Sequence, residues 1–425
     1  MFASRSLSKL RTKSACMTRL ILKASICHKS QLPPKKVYHW PYEKYTYNAL
    51  TMWLDIFTEK KFDENSMIIQ LDGNIDNGKC EFGRKLADEL GMKFFEPIDL
   101  EREYINEDGY DLRALNPLLP ERVRYCDLEM FHENPSRHSA IHMQMFMFKH
   151  RLYQYIKALQ HLFNTGQGVI LPRSAFTERV FVEAAHNLGW LPMGYLRSDG
   201  VQFYDWKHFY LNVRNLALAD ICLFPKLTIY LETPVDTCMA RIKASSDPMI
   251  ANSKALIPEY LENIERAYED IVLPKQETNG IVFRVDHPRD KSREEILDVV
   301  QDLEKLDFTY DMKDMRFETW DPDFMYFWHS YMRRRFTSYR ALRAMRYLNQ
   351  KDFDIAGLGD SLNQELISLR AYLIMANVGI KYGYKRDLPW YHKYKNLSSI
   401  SGFLKSMHLG KRLDDCVFAG HDNPW

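Results

Sequence analysis

The stretch IIQLDGNIDNGKCEFGRKLADELG, residues 68–91, decides the fold because a glycine-rich turn joins a short apolar run to a helical pattern. The turn reads G-x-x-x-x-G-K, with Gly73, Gly78 and Lys79 at the spacing of a phosphate-binding loop. In such a loop, backbone N–H groups cradle phosphate oxygens and the lysine neutralises their charge. The sequence therefore predicts a strand, a phosphate-binding loop and a helix in succession.

Two positions in this loop depart from what phosphoryl transfer requires. A Ser or Thr that ligates Mg²⁺ normally follows the lysine, but here Cys80 follows it, and a thiol is a poor ligand for a hard cation. Asp76 adds a carboxylate inside a turn that should attract negative phosphates. Productive metal–phosphate geometry is therefore not expected. A nucleotide held without reaction remains compatible with the loop, whose candidate contacts are Gly73, Asn74, Gly78, Lys79 and Cys80.

The chain continues with a regular alternation of short apolar runs and longer helical patterns. Predicted strands cover 66–72, 92–97, 168–173, 226–232 and 280–286. Predicted helices cover 79–90, 139–164, 175–188, 203–221, 234–244, 258–271 and 291–306. Short apolar strands of this kind are buried on both faces, so the alternation predicts an α/β fold with a five-stranded parallel sheet and helices on both faces. Ligands bind such sheets at the carboxyl ends of the strands.

Further candidate site residues stand near the ends of these strands. Glu96 closes the second strand, where its carboxylate could take a proton from a sugar hydroxyl, although a plain surface role before Pro97 fits equally well. Gln144 lies in a long helix rich in Met and Phe, where its amide either satisfies backbone groups or reads a ligand. Arg173 follows the third strand, and Arg241 lies after the fourth.

Taken in order, these features resemble the deoxynucleoside kinase family over residues 66–306. The features are the G-x-x-x-x-G-K loop, the pair Glu96-Pro97, a helix with Gln144, and a strand that ends in Arg173-Ser174. The resemblance implies a P-loop kinase-like fold and a role for each residue. The loop would hold phosphates, Glu96 would be the general base, Gln144 would read the base, and Arg173 would lie near the substrate hydroxyl.

The same resemblance exposes two further departures from an active kinase. Pro172 stands where active members carry an acidic residue that helps to manage the metal. The lid RIKASSDPMIANSK, residues 241–254, keeps Arg241 and Lys243 but has serines and an aspartate where further arginines would stabilise the transferring group. Together with Cys80, three separate parts of one mechanism are impaired. We therefore expect a degenerate kinase fold that is not an enzyme, in which Glu96 and Arg173 are vestigial.

The sequence predicts neither a metal site nor a required cofactor. His138 and His142 stand four residues apart on one predicted helix, but no third ligand follows at a suitable spacing. The seven cysteines form no C-x-x-C pair. No G-x-G-x-x-G follows a strand, so the residues give no basis for NAD or flavin binding. Bound FAD would be implied only by the resemblance, since the family has been described with FAD.

Four stretches resemble, more narrowly, a mitochondrial branch of this family: ALQHLFNTGQGVIL, VFVEAAHNLGW, IYLETPVDTCMARI and EYLENIERAYEDIVLP. The branch consists of accessory subunits of respiratory complex I, on the matrix side of the membrane arm and not needed for electron transfer itself. The resemblance implies partners among the membrane-arm subunits of complex I and a peripheral place on the matrix side of the inner membrane. Two alternatives stay open, an active mitochondrial deoxynucleoside kinase and a free nucleotide-sensing module.

The amino-terminal composition independently indicates a mitochondrial address. No acidic residue precedes Glu43, whereas the same stretch holds nine Lys and Arg residues and six serines, which is typical of a transit peptide. A disordered basic tail is the alternative. We expect the transit peptide to cover 1–36 and an extended arm to cover 37–65. Removing the nine charges from the formal net charge of +2 leaves about −7, which argues against nucleic-acid binding.

The alternation stops near residue 307, and we expect 307–425 to form a mainly helical or irregular extension that docks to partner subunits. Its helical pattern over 323–348 carries an apolar stripe together with arginines that include Arg333, Arg334 and Arg335. A solvated cationic face is one interpretation, and docking on an acidic subunit or on anionic lipid headgroups is the other. No run of about 18 apolar residues occurs, so no membrane-spanning helix is predicted.

Overall fold

A computed structural model describes residues 26–32, 62–98, 100, 104, 105, 111–119, 124–137, 139–191, 206–219, 221, 223–308 and 315–320. Within these residues, five strands form one sheet: β1 (Ile68–Gly73), β2 (Lys93–Phe94), β3 (Val169–Pro172), β4 (Leu227–Glu232) and β5 (Ile281–Asp286). Their order in space is β2-β3-β1-β4-β5, and every neighbouring pair is parallel. The predicted five-stranded parallel sheet is confirmed, although β2 is only two residues long.

The α-helices among the described residues are α1 (Lys79–Leu90), α2 (Leu128–Glu133), α3 (Ala140–Thr165), α4 (Arg179–Asn187), α5 (Trp206–Leu218), α6 (Val235–Lys243), α7 (Pro248–Ala251), α8 (Pro258–Ala267), α9 (Leu273–Glu277) and α10 (Arg293–Glu304). A π-helical turn, Tyr268–Val272, joins α8 to α9. All seven predicted helices are confirmed, with ends that differ by a few residues. The short helices α2, α7 and α9 were not predicted separately, because one or two turns give too short an apolar repeat to recognise.

The central strand β1 explains why helices cover both faces of the sheet. All six of its residues are buried, and side chains alternate between the faces along a strand. Ile68 joins a core cluster built with α3, α4, α5 and α8 on one face. Ile69 and Leu71 join a second cluster with α1 and α10 on the other face. A strand that packs against a core on each face carries a nearly continuous apolar run, and this pattern made β1 recognisable in the sequence.

Two segments outside the predicted kinase-like domain pack at the amino end of the sheet. Residues 26–32 include a 3-10 turn, Lys29–Gln31, and bury Ile26 in the second core cluster. A 3-10 helix at Met315–Trp320 buries Phe317 in the same cluster. The Trp320 indole donates to the Phe224 carbonyl at 3.0 Å, just before β4. The beginning of the predicted carboxyl-terminal extension therefore packs on the domain.

Several predicted features lie outside the described residues. They are most of the transit peptide, most of the arm 37–65, and the pattern 323–348 with Arg333, Arg334 and Arg335. No helix in the described part of the chain is both long and apolar enough to cross a bilayer.

Candidate functional site

The turn between β1 and α1 is built on two glycines that no other residue could replace without strain. Gly73 has a φ of 141°, and a β-carbon there would lie 2.1 Å from the Asn77 amide nitrogen and 2.7 Å from the Leu231 carbonyl oxygen. Gly78 has a φ of 78° and directly precedes the first residue of α1. Positive φ and close approach are the conditions that favour glycine, so the backbone explains why glycine stands at both positions. Their predicted part in phosphate binding stays a prediction.

The loop lysine is turned back onto its own loop. The Lys79 ammonium donates to the Asn74 carbonyl oxygen at 2.8 Å, and the residue is 8% exposed. Burial lowers the pKa of Lys79 well below its usual value, and the nearby Arg173 guanidinium lowers this pKa further. Asn74 is fixed in turn, since its side-chain amide donates to the Leu261 carbonyl at 3.1 Å. The residue that should receive phosphate charge is thus bound to a backbone carbonyl.

The two unusual loop residues differ in their surroundings. Cys80 is half-buried in the first turn of α1. Asp76 is exposed and takes a left-handed conformation with a φ of 53°, which Asp tolerates better than most residues. The structure therefore places a thiol, and no hydroxyl, next to Lys79.

Three side chains, two that follow β5 and one on α6, crowd the second glycine of the loop. A β-carbon at Gly78 would lie 2.6 Å from the Asp290 carboxylate and 3.1 Å from both Arg241 Nη1 and His287 Nε2. Arg241 and Asp290 form an ion pair at 3.4 Å. His287 is 1% exposed, and neither of its ring nitrogens has a hydrogen-bond partner among the described residues. Burial lowers the pKa of His287, with a further contribution from Arg241.

Asp290 and His287 were not among the predicted site residues. Both come just after β5, so the rule that sites form at the carboxyl ends of parallel strands could have found them. Arg241, which was predicted, does meet the loop.

The predicted Arg173 lies beside the loop in a strained conformation. Its φ is 67°, and its guanidinium donates to the Gly73 carbonyl at 3.3 Å while lying 4.6 Å from the ring centroid of Phe181. A non-glycine residue in this region costs roughly 1–3 kcal/mol, which the surrounding contacts must offset. The structure therefore brings Arg173, Arg241 and the glycine loop together.

A second arginine, which sequence reasoning missed, binds the end of β3 from α3. Arg151 Nε lies 3.0 Å from Glu178 Oε2, and their side chains are only 8% and 2% exposed. Arg151 Nη1 also donates to the Pro172 carbonyl at 2.8 Å. Because Pro172 has no side-chain acceptor, the strand end is held through its backbone oxygen instead.

The end of β1 carries a buried polar network. Asp72 accepts hydrogen bonds from the Gln70 amide, from the Thr177 hydroxyl at 3.0 Å and from the Tyr268 hydroxyl at 3.3 Å. Ser174 donates to Gln70 and so links β3 to β1. Burial raises the pKa of Asp72, although its hydrogen bonds act in the opposite direction. Alternation along β1 places Gln70 and Asp72 on the face covered by α3 and α4, where only a satisfied polar group is stable.

The structure also describes the surroundings of two other predicted site residues, Glu96 and Gln144. The exposed Glu96 carboxylate accepts hydrogen bonds from the Arg84 guanidinium at 2.9 Å and 2.6 Å, and this contact lowers the pKa of Glu96. A lowered pKa makes a carboxylate a weaker general base. Gln144 is buried on α3.

The predicted lid is fastened to the rest of the domain. Asp247 caps α7 by accepting from the Met249 N–H at 2.9 Å. Ser253 Oγ lies 2.6 Å from His132 Nδ1 on α2, and the Lys254 N–H donates to the His132 carbonyl at 2.9 Å. These contacts tie the segment that would cover the phosphates to α2.

The described residues contain no group of three or more His, Cys, Asp and Glu side chains arranged to hold a metal ion. The predicted pair His138 and His142 falls outside this finding, because neither side chain is described.

Comparison with known proteins gives a family model, curated proteins and solved structures that are similar to this chain. The family model described as deoxynucleoside kinase matches residues 69–306, close to the predicted 66–306. The curated protein "NADH dehydrogenase [ubiquinone] 1 alpha subcomplex subunit 10, mitochondrial" of Rattus norvegicus is 33% identical over 269 residues, covering 62% of this chain and 69% of that protein. The protein of the same name from Bos taurus is 29% identical over 267 residues, covering 62% and 71%.

A deoxyguanosine kinase of Dictyostelium discoideum is 28% identical over 233 residues, covering 54% of this chain and 67% of that enzyme. A solved structure of deoxyadenosine kinase from M. mycoides with bound dCTP shares 18% identity and gives a TM-score of 0.39, covering 56% of this chain and all of that one.

Proposed function

This chain belongs to the deoxynucleoside kinase family, and we propose that it serves as a non-catalytic accessory subunit of the mitochondrial NADH:ubiquinone oxidoreductase, complex I. The observation that carries the proposal is the set of relatives named as subunit 10 of that complex, at 29–33% identity over 62% of this chain. They support a mitochondrial location and association with other subunits of the complex. We infer that the chain supports assembly and stability of the complex from the matrix side of the inner membrane.

The geometry of the loop supports a role without phosphoryl transfer. Lys79 is bound to the Asn74 carbonyl, and Glu96 is held by Arg84 with a lowered pKa. The lid segment is tied to α2 through His132. Catalysis of phosphoryl transfer depends on alignment and charge stabilisation, and in this geometry the Lys79 ammonium and the Glu96 carboxylate are both engaged in other contacts.

Magnesium does not fit the residues at this site. The position after Lys79 offers the Cys80 sulfur, and the end of β3 offers Pro172, which has no side-chain ligand. Magnesium prefers hard oxygen ligands in octahedral geometry, so a thiol and a proline leave two of the expected oxygens missing. We propose that no cofactor is required, FAD included. Arg241 Nη1 is buried and has no hydrogen-bond partner among the described residues, so it could donate to a phosphate oxygen. We therefore also propose that a nucleotide can bind here without turnover.

We expect the chain to migrate with complex I when mitochondria are solubilised in mild detergent and resolved on a native gel. Depleting the chain should reduce the amount of assembled complex, because an accessory subunit acts by stabilising its neighbours. Re-expression of wild-type chain or of the Lys79→Met variant should restore assembly equally, since the loop lysine has no catalytic task. If the chain runs only as a small soluble species, the accessory role is wrong.

We also expect the purified chain to phosphorylate no deoxynucleoside at a rate near 1 per second, about the lower end for kinases. The measurement is transfer of labelled phosphate from ATP with Mg²⁺, with an active deoxynucleoside kinase as the positive control. Any transfer of labelled phosphate that persists in Lys79→Met is due to a contaminating kinase. Thermal stabilisation by ATP that is lost in Lys79→Met would support bound nucleotide without turnover.

The second candidate function is an active mitochondrial deoxynucleoside kinase, which the similarity to the Dictyostelium discoideum deoxyguanosine kinase favours. Turnover at kinase rates that disappears in Lys79→Met would establish this function in place of the first. A free nucleotide-sensing module would bind ATP, show no turnover and fail to migrate with complex I.

A further inference from the structure

Residues 26–32, which lie inside the predicted transit peptide 1–36, are built into the core of the described domain. Ile26 is completely buried and belongs to the cluster that includes Met67, Leu90 and Phe308. We call residues 26–32 the amino-terminal strap. Full burial of an isoleucine side chain is worth roughly 1.5–3 kcal/mol, so losing this contact would open a cavity under α1.

A buried asparagine is arranged to hold the backbone of the strap. Asn65 is 2% exposed, and its side-chain oxygen accepts from the Cys27 N–H at 2.8 Å. Its side-chain nitrogen donates to the Cys27 carbonyl at 2.7 Å and to the Leu90 carbonyl at 2.8 Å. Without the strap, two of these three hydrogen bonds vanish at a buried polar group.

The next two residues join the strap to two helices on the same face of the sheet. The His28 N–H donates to Glu304 at 3.0 Å, at the end of α10. Its ring nitrogen Nε2 lies 3.0 Å from Glu89 on α1, and the Lys29 ammonium donates to the Asp88 carbonyl at 2.5 Å. The hydrogen bond from His28, together with that from Arg293, lowers the pKa of Glu89. The strap therefore bridges α1 and α10 close to their carboxyl ends.

We propose that proteolytic maturation removes the leader upstream of Ile26, and that the strap stays on the mature domain as a permanent part of its core. This proposal rests on the mitochondrial location proposed above. The step is the hydrolysis of one peptide bond by an endopeptidase, in which water adds its hydroxyl to the carbonyl carbon and a proton to the new amino terminus. Cleavage at 36 would discard Ile26 and leave Asn65 facing an emptied groove.

The composition of the leader agrees with the earlier boundary. Six of the nine Lys and Arg residues before Glu43 precede Ile26, and no acidic residue does, so a leader ending there is still strongly cationic. Removing six charges from the formal net charge of +2 leaves about −4 for the mature chain, compared with −7 for a boundary at 36. The same boundary keeps Cys27 in the mature protein.

Mass spectrometry of the amino-terminal peptide of the chain from purified mitochondria tests the proposal. We expect the peptide to begin at or before Ile26 and to contain Cys27 and His28. A mature chain that begins at residue 33 or later would overturn the proposal, as would an uncleaved chain beginning at Met1. Migration with complex I is scored on the same sample, so loss of the accessory role is distinguishable from an error in the boundary.

Thermal unfolding provides a second test on purified chains that begin at residue 26 or at residue 33. We expect the shorter chain to melt at least about 5 °C lower, a shift of the size that a few kcal/mol produces in a domain this large. In the longer chain, Ile26→Asp should cause a comparable loss, whereas Gln31→Asp at an exposed position should change little. Equal melting temperatures for the two chains would show that the strap is dispensable and would overturn the proposal.

Discussion

Replacing Arg151 with Met is expected to destabilise the folded domain by about 3–5 kcal/mol, because it leaves the Glu178 carboxylate buried without its partner. The pair is 3.0 Å apart and almost fully buried, between α3 and the turn that precedes α4. Burial lowers the pKa of Arg151, while Glu178 acts in the opposite direction. The variant also loses the hydrogen bond to the Pro172 carbonyl at the end of β3.

Urea unfolding of the purified chain measures this loss, and Arg84→Met is the matched control. Arg84 forms another arginine–carboxylate contact near the site, with Glu96, but both side chains are more than half exposed. An exposed pair contributes at most about 1 kcal/mol. The double variant Arg151→Met with Glu178→Gln should recover part of the stability, since no charge is then left unpaired. A cost for Arg151→Met no larger than that for Arg84→Met would contradict the expectation.

Replacing Asp72 with Ala is expected to cost about 2–3 kcal/mol, because buried donors on Gln70 and Thr177 lose their acceptor. Asp72→Asn should cost far less, since the amide keeps an acceptor oxygen for the Gln70 donor. Its nitrogen can donate to the Thr177 hydroxyl, which accepts as readily as it donates. Chemical unfolding of the three proteins at one pH gives both differences, and equal stability of the Ala and Asn variants would contradict the account of the network.

The same pair of proteins tests the direction of the Asp72 pKa. Burial raises this pKa in the folded state, so the folded protein binds the proton more tightly than the unfolded chain does. The contribution of Asp72 to stability is therefore complete below its unfolded pKa and is lost as pH rises through its folded pKa. Asp72→Asn has no such loss, so its stability relative to wild type should rise as the pH increases above about 4, the ordinary pKa of Asp. A relative stability that falls over this range would mean that the hydrogen bonds outweigh burial.

The parts of the fold that sequence could predict are those with a local repeat. Apolar runs such as 226–232 and 280–286 marked strands, and β4 and β5 follow them closely, although only β4 is buried along nearly its whole length. The loop was recognisable because Gly73 and Gly78 meet local conformational demands that few other residues satisfy. β2 is shorter than the predicted strand 92–97, since only Lys93 and Phe94 pair with β3.

The parts of the site that could not be predicted depend on residues far apart in the chain. Nothing near Lys79 indicates that its ammonium binds the Asn74 carbonyl, because a chain carrying the same motif can place that lysine on phosphate. The ion pair of Arg151 with Glu178 joins positions 27 residues apart, and the contact of Gly78 with Asp290 spans most of the domain. Such contacts follow from packing of the helices on the sheet, which periodicity does not specify.

The strap and the helix at Met315–Trp320 both pack at the amino end of the sheet, whereas the glycine loop lies at the carboxyl end. Both segments therefore lie on the side of the described domain opposite the glycine loop. A larger assembly that binds the domain through these two segments would fix its orientation and leave the glycine loop facing away from the interface. Substitutions in the glycine loop could then accumulate without disturbing attachment, and substitutions in the two segments would leave the loop unchanged.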